Sequence, residues 1–359
     1  MRGLIAASVA VAMLAGGCTS AELPPPTPIK AGLVLLAATD EGAVAVDRST
    51  NSLVGFDRSG SQVWSEPAAL KAGATFACLR QCPDAILSYG YVGQGPDRAP
   101  KRVGSTTVDP LQVSKAHHHR VLAARSADDM VIEETDEAGR TTLRLVGPGQ
   151  RELSVEVSHQ DQVWLETVDR SHAMAFTRIP GASGATIQWF TRDASGWRPT
   201  GDALPRGTAS NGCLGDGGAV ALIAGRSSAL IVQRQRRVEL RVDLHSAGEC
   251  GIGPHGGVVV GRSISGDGQV RTAVRGIDLQ GSQTWARDFA GEALIAAEHS
   301  GARTAIAYNG ILEILDTAGN VAYSEPDIGS ALFAENGELV VATLSGKVRR
   351  LPPTQQARR

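Results

Sequence analysis

Beyond residue 32 the apolar positions fall in short runs broken by turn residues, and no stretch keeps a helical period over more than about three turns. The first runs cover 33–38, 43–47, 52–57 and 62–65, parted by Asp40-Glu41-Gly42, Ser49-Thr50-Asn51 and Ser59-Gly60. Those breaks carry the side chains that satisfy turn amides or supply left-handed backbone. Later groups repeat the pattern at 130–134, 141–146 and 152–157, at 219–224, 229–233 and 238–242, and at 311–316, 321–324 and 339–343. Strands at this density with no helices between them predict a sandwich, a barrel or a propeller.

Internal similarity selects among the three. Residues 55–64 read Gly-Phe-Asp-Arg-Ser-Gly-Ser-Gln-Val-Trp and residues 276–285 read Gly-Ile-Asp-Leu-Gln-Gly-Ser-Gln-Thr-Trp, six of ten identical. A third copy covers 314–326, so that Asp57, Gly60 and Trp64, Asp278, Gly281 and Trp285, and Asp316, Gly319 and Tyr323 share one spacing. The pattern predicts a hairpin in which Asp holds the turn amides and Gly takes positive φ. The aromatic would then pack between neighbouring repeats. Weaker versions occur at 136–139 and 193–197. Trp285 and Tyr323 lie 38 residues apart, near the ~40–45 of a four-stranded propeller blade. The fold expected for 33–352 is therefore an all-β propeller of four-stranded antiparallel blades. Chain length favours seven blades and leaves six or eight open. Closure of the ring would place 339–343 and 347–351 in one sheet with 33–38, ahead of a short polar tail at 353–359.

These hairpins resemble the quinoprotein-type (PQQ-like) propeller repeat, in which a strand, an Asp-to-Gly turn and a strand ending in Trp recur. The turn here is one residue shorter than that repeat. The combination with the N-terminus described next is also similar to propeller lipoproteins of the BamB type. The resemblance implies a fold and carries no activity with it.

Met1 and Arg2, an apolar run over 3–14, and Ala15-Gly16-Gly17 before Cys18 have the layout of an export signal. The run is shorter than the ~20 residues that span a bilayer. The small residues before the cysteine resemble the lipobox of bacterial lipoproteins. The expectation is cleavage after residue 17 and lipidation (diacylglyceryl and palmitate chains) of Cys18. The alternative is free secretion with Cys18 incidental. Residues 18–32, with Pro24, Pro25, Pro26 and Pro28, would form an extended spacer. These readings place the domain on the extracytoplasmic face of a cell membrane, as a monomer.

A net charge of −2 over 359 residues gives no excess cation to displace phosphate counterions, which argues against nucleic acid as a partner. Of five cysteines, four remain after lipidation, and three pairings are possible. The nearest-neighbour choice is Cys78–Cys82 with Cys213–Cys250. The first pair requires a tight bend between its members.

Few residues suggest chemistry. His117-His118-His119 is the densest cluster of metal-binding side chains, and on a strand only His117 and His119 share a face. A solvated strand edge or loop is the plainer explanation of the cluster, with metal contact or ligand binding as the alternatives. No nucleophile elbow, Walker loop, zinc helix or EF-hand loop occurs, so neither a cofactor nor a catalytic residue is expected. Three functions remain compatible with the sequence. One is a binding or scaffolding propeller for a protein or envelope component. The second is an envelope solute or metal binder, and the third a glycan-active enzyme with a central-channel site.

Overall fold

A computed structural model describes residues 32–67, 69, 74–79, 81–89, 101–104, 247–264 and 268–353. From 108 to 246 it describes the strands and residues 138 and 140, with side chains at only a few positions. The signal, Cys18, His117 and residues 354–359 lie outside the described residues.

The described strands form eight antiparallel sheets, each a meander in sequence order. They cover 33–66, 74–110, 118–157, 164–205, 209–241, 247–289, 294–326 and 328–351, and are called sheets 1 to 8. Sheets 1 to 7 have four strands and sheet 8 has three. The fold is a β-propeller with one sheet more than division of the chain length by blade size favours. The extra blade fits because sheets 5 and 7 are compact and sheet 8 has three described strands.

The innermost strands of sheets 2 to 4, of sheets 5 to 8, and of sheets 8 and 1 pack side by side. Leu33–Ala38 and Ile328–Phe333, the inner strands of sheets 1 and 8, are buried along nearly their whole length. Strands covered on both faces read as continuous apolar runs, and Leu-Val-Leu-Leu-Ala-Ala is such a run. One apolar cluster joins Leu35, Val54 and Phe56 of sheet 1 to Phe333, Leu339 and Val341 of sheet 8. Another joins Leu36, Leu53 and Trp64 of sheet 1 to Phe76 and Leu87 of sheet 2.

Ring closure differs from the expectation above. Leu33–Ala38 pairs with Gly42–Asp47 inside sheet 1, and Leu339–Thr343 pairs with Ile328–Phe333 and Val348–Leu351 inside sheet 8. The two sheets are packed together, not hydrogen-bonded into one. At their junction the Ser330 hydroxyl donates to the Leu33 carbonyl (3.2 Å) and accepts from the Leu35 amide (3.0 Å), satisfying inner-strand groups that no ladder reaches.

Because every sheet is a meander, turns sort onto two faces of the ring. The upper face carries the connections between sheets and the turns between second and third strands. On the lower face lie the first-to-second and third-to-fourth turns.

Candidate interaction faces

The repeated hairpin is the third-to-fourth turn of sheets 1, 6 and 7. In each, one Asp oxygen accepts two backbone amides: Ser59 and Ser61 on Asp57 (both 2.9 Å), Gln280 and Ser282 on Asp278 (2.9 and 2.7 Å), and Ala318 and Asn320 on Asp316 (2.9 and 2.8 Å). Gly60, Gly281 and Gly319 take φ of 84°, 97° and 82°, a region that penalises side chains with a Cβ. Hydrogen bonding, first from the Ser59 hydroxyl, holds the Asp57 carboxyl below the usual carboxylate range. At Asp316 partial burial works upward, and the Asn320 and Ala318 hydrogen bonds outweigh it to lower the carboxyl. The weaker motif at 193–197 is also a third-to-fourth hairpin, Asp193 opposing Gly196. The one at 136–139 instead joins the second and third strands of sheet 3.

The aromatics fill the slots between sheets. Trp64 lies over Gly55, where an added Cβ would be 2.1 Å from Nε1. Its Nε1–H donates to the Pro83 carbonyl of sheet 2 at 2.8 Å. Trp285 is held between Gly276 of its own sheet and Gly319 of sheet 7, whose added Cβ atoms would meet it at 2.0 and 2.6 Å. Tyr323 packs against the cluster shared with sheet 8. Its hydroxyl donates to Glu325 at 2.6 Å, and Glu325 pairs with Arg349 of sheet 8. Burial, together with this bond to a carboxylate, pushes the Tyr323 hydroxyl up to about 12.

Sheet 8 has no described fourth strand and therefore no aromatic to offer sheet 1. In register, Arg350 occupies the position of Gly55, since Val340 opposes Arg350 as Val44 opposes Gly55. The Arg350 side chain fills the slot instead, donating to the carbonyls of Thr39 (2.6 Å) and Gly42 (3.4 Å) and to Glu338 (3.1 Å). Trp64 and Arg350 thus reach the same element, the first turn of the next sheet. Arg58 completes the lower-face network through Glu338 (3.3 Å) and the Asp40 carbonyl (2.5 Å). Sequence reasoning missed Arg350; its one signal was an arginine in the third strand of the last repeat, where two other repeats have glycine.

Cys78 and Cys82 form a disulfide with Cα atoms 5.1 Å apart, across the first turn of sheet 2 that receives Trp64. Cys250 is disulfide-bonded as well. The strand Ala247–Gly253 that carries it packs on Ala209–Gly215, the strand of Cys213. In the ladder of sheet 3, His118 and His119 oppose Thr135 and Glu134. Among the described residues no three His, Cys, Asp or Glu side chains gather as a metal site. A notch on the lower face, between sheets 6 and 7, is lined by His255, Trp285, Asp316 and Thr317 and encloses about 10 Å³. Small-molecule pockets usually run from ~300 Å³ upward, so the notch is a surface feature between blades.

No family model matches the chain, and no curated protein matches it. Solved structures do. The WD40 domain of SCAP from fission yeast superposes with a TM-score of 0.51 at 9% identity, over 93% of this chain and 95% of that one. A structure from a study of two prolyl endopeptidases matches with a TM-score of 0.54 at 11% identity, over 87% of this chain and 54% of that chain. At such identities the likeness carries the fold alone, and the fold it carries is the β-propeller.

Proposed function

We propose that the chain is a lipid-anchored, extracytoplasmic propeller that acts as a binding or scaffolding module for a protein or envelope component. Cys18 is the lipidated residue and residues 18–32 join it to the ring. The leader supports the address, and the likeness of the hairpins to quinoprotein-type and BamB-type blades supports the combination of address and fold.

The observation that carries the binding role is the network of hydrogen bonds and ion pairs that ties the lower turns. These turns are tied by Asp57, Asp278 and Asp316 to their own amides, and by Arg58, Arg350 and Glu338 across the junction of sheets 8 and 1. Side chains such as Glu41, Glu335 and Thr317 stand exposed on that frame. A surface fixed before encounter loses little entropy on docking.

Two experiments test the reading. Cys18→Ser should abolish processing to the lipidated form and release the protein from membranes; unchanged membrane association would contradict the anchor. A photo-crosslinking residue at Glu41, Glu335 or Thr317 should give a discrete adduct in intact cells. Absence of adducts from all three positions, with the protein correctly anchored, would count against the binding role.

A further inference from the structure

Among the described residues the large hydrophobic side chains left exposed are Ile264, Ile311 and Leu344, at 75%, 47% and 48%. They belong to three consecutive sheets, and all three stand at the same kind of turn. Ile264 ends the second strand of sheet 6, Ile311 begins the third strand of sheet 7, and Leu344 lies between the second and third strands of sheet 8. All three therefore sit on the upper face. Contacts between these sheets confirm the shared level: the Leu344 amide donates to the Asp327 carbonyl (3.0 Å), the Ile328 amide to the Gly310 carbonyl (3.1 Å), and Arg262 to the Ala293 carbonyl (3.1 Å). Leu344 also abuts Gly310, where an added Cβ would be 2.9 Å from it.

The chain preceding the fold arrives at this face. Leu33 opens the inner strand of sheet 1, which runs downward from the upper face and lies against sheet 8. Residues 18–32, even fully extended, reach no more than about 50 Å. Lipid on Cys18 would therefore hold the upper end of the first strand within about 50 Å of the bilayer, within reach of the upper turns of sheets 6 to 8. We infer that Ile264, Ile311 and Leu344 are a membrane-docking edge that seats the upper face on the lipid interface and fixes the orientation of the propeller. This rests on the anchored reading of Cys18.

The chemistry favours lipid over a protein partner. A permanent, obligate protein contact would call for a contiguous apolar patch. Here single apolar tips project from separate turns at one level, which matches a planar interface. Among the described residues beside these three turns, exposed cations and anions balance, with Lys347 and Arg271 against Asp327 and the half-buried Glu292. Docking therefore needs no anionic lipid and should be insensitive to salt. Three tips bind weakly alone and count only when the anchor supplies a high local concentration.

The test uses the mature lipidated protein on phosphatidylcholine vesicles whose acyl chains are brominated near the headgroup. Leu344→Trp and Ile264→Trp should each add tryptophan emission that the brominated lipid quenches. Asn336→Trp, on the lower face, should add emission that it does not quench. The quenching should persist at high salt, and replacing the other two tips with Ser should reduce it several-fold. Flotation with the vesicles but equal quenching, or none, at Leu344→Trp and Asn336→Trp would overturn the docking edge and leave the anchor standing. Failure of the protein with intact Cys18 to float would overturn both. Quenching lost on addition of an envelope protein that covers these turns would assign the edge to that protein instead.

Discussion

If aromatics hold the blades together, Trp64→Ala should be among the most damaging single substitutions in the protein. Trp64 is 8% exposed and packs with Leu36, Leu53, Phe76 and Leu87 across sheets 1 and 2. Truncation removes that packing and opens a cavity, together about 3–5 kcal/mol for a buried aromatic. It also strands the Pro83 carbonyl, now accepting from Nε1 at 2.8 Å, for about 1 kcal/mol more. A folded part of roughly 320 residues has an unfolding entropy near 0.7 kcal/mol/K, so the loss amounts to about 6–9 °C in Tm. Trp64→Phe keeps most of the apolar area and loses the hydrogen bond, and should cost about one third as much. Calorimetry of the two variants and the parent separates these terms. A Trp64→Ala shift under about 2 °C, or a Trp64→Phe loss as large as that of Ala, would refute the account of the slot.

Arg350→Met should destabilise by about 2–4 kcal/mol, because it frees the Thr39 carbonyl and leaves Glu338 with only the half-exposed Arg58; denaturant unfolding measures it, and a neutral outcome would mean that apolar packing alone closes the ring. Gly319→Ala should cost about 2–4 kcal/mol, since its Cβ would strike Trp285. Gly346→Ala has a similar φ of 84° with nothing within 4 Å and should cost only about 1 kcal/mol, so equal losses would argue against the inter-blade contact. Asp57, Asp316 and Asp47 have lowered carboxyls in the folded protein, the last through Ser49 and Thr50 hydrogen bonds that outweigh its partial burial. The unfolded chain therefore binds more protons, and the stability these groups add above pH ~4 should fade as pH drops toward their folded values. Asp316→Asn should flatten that acid limb, and an unchanged slope between pH 4 and 2 would rule Asp316 out as a contributor.

The strands were legible because described inner and middle strands such as Leu33–Ala38, Ser52–Asp57, Ala74–Cys78 and Leu339–Thr343 are buried along nearly their whole length and read as plain apolar runs. Runs expected at 52–57, 141–146, 219–224 and 339–343 coincide with strands residue for residue. The hairpins were legible because their parts are local, an Asp and a Gly within one turn. Closure of the ring was not. It depends on which of two distant segments is packed beside the other and which is hydrogen-bonded to it, and apolar character alone supports both arrangements. Arg350 escaped notice for a related reason. Its partners come from the far end of the chain, the Thr39 carbonyl, and from the first turn of its own sheet, Glu338, and only the assembled junction unites them. The surface was the least legible part. Ile264, Ile311 and Leu344 look like ordinary strand-end residues in sequence, and only the sorting of turns onto two faces sets them together.

The central claim is a closed ring of separate sheets in which sheet 8 is packed against sheet 1. A crystal structure of the mature chain carrying Cys18→Ser tests it most directly. The account predicts eight antiparallel sheets about one axis, with Arg350 in the slot above Thr39 and Val348–Leu351 in a sheet distinct from Leu33–Ala38. Coordinates in which Leu33–Ala38 is hydrogen-bonded into the sheet of Leu339–Thr343, or in which the strands stack as two layers with no common axis, would contradict it.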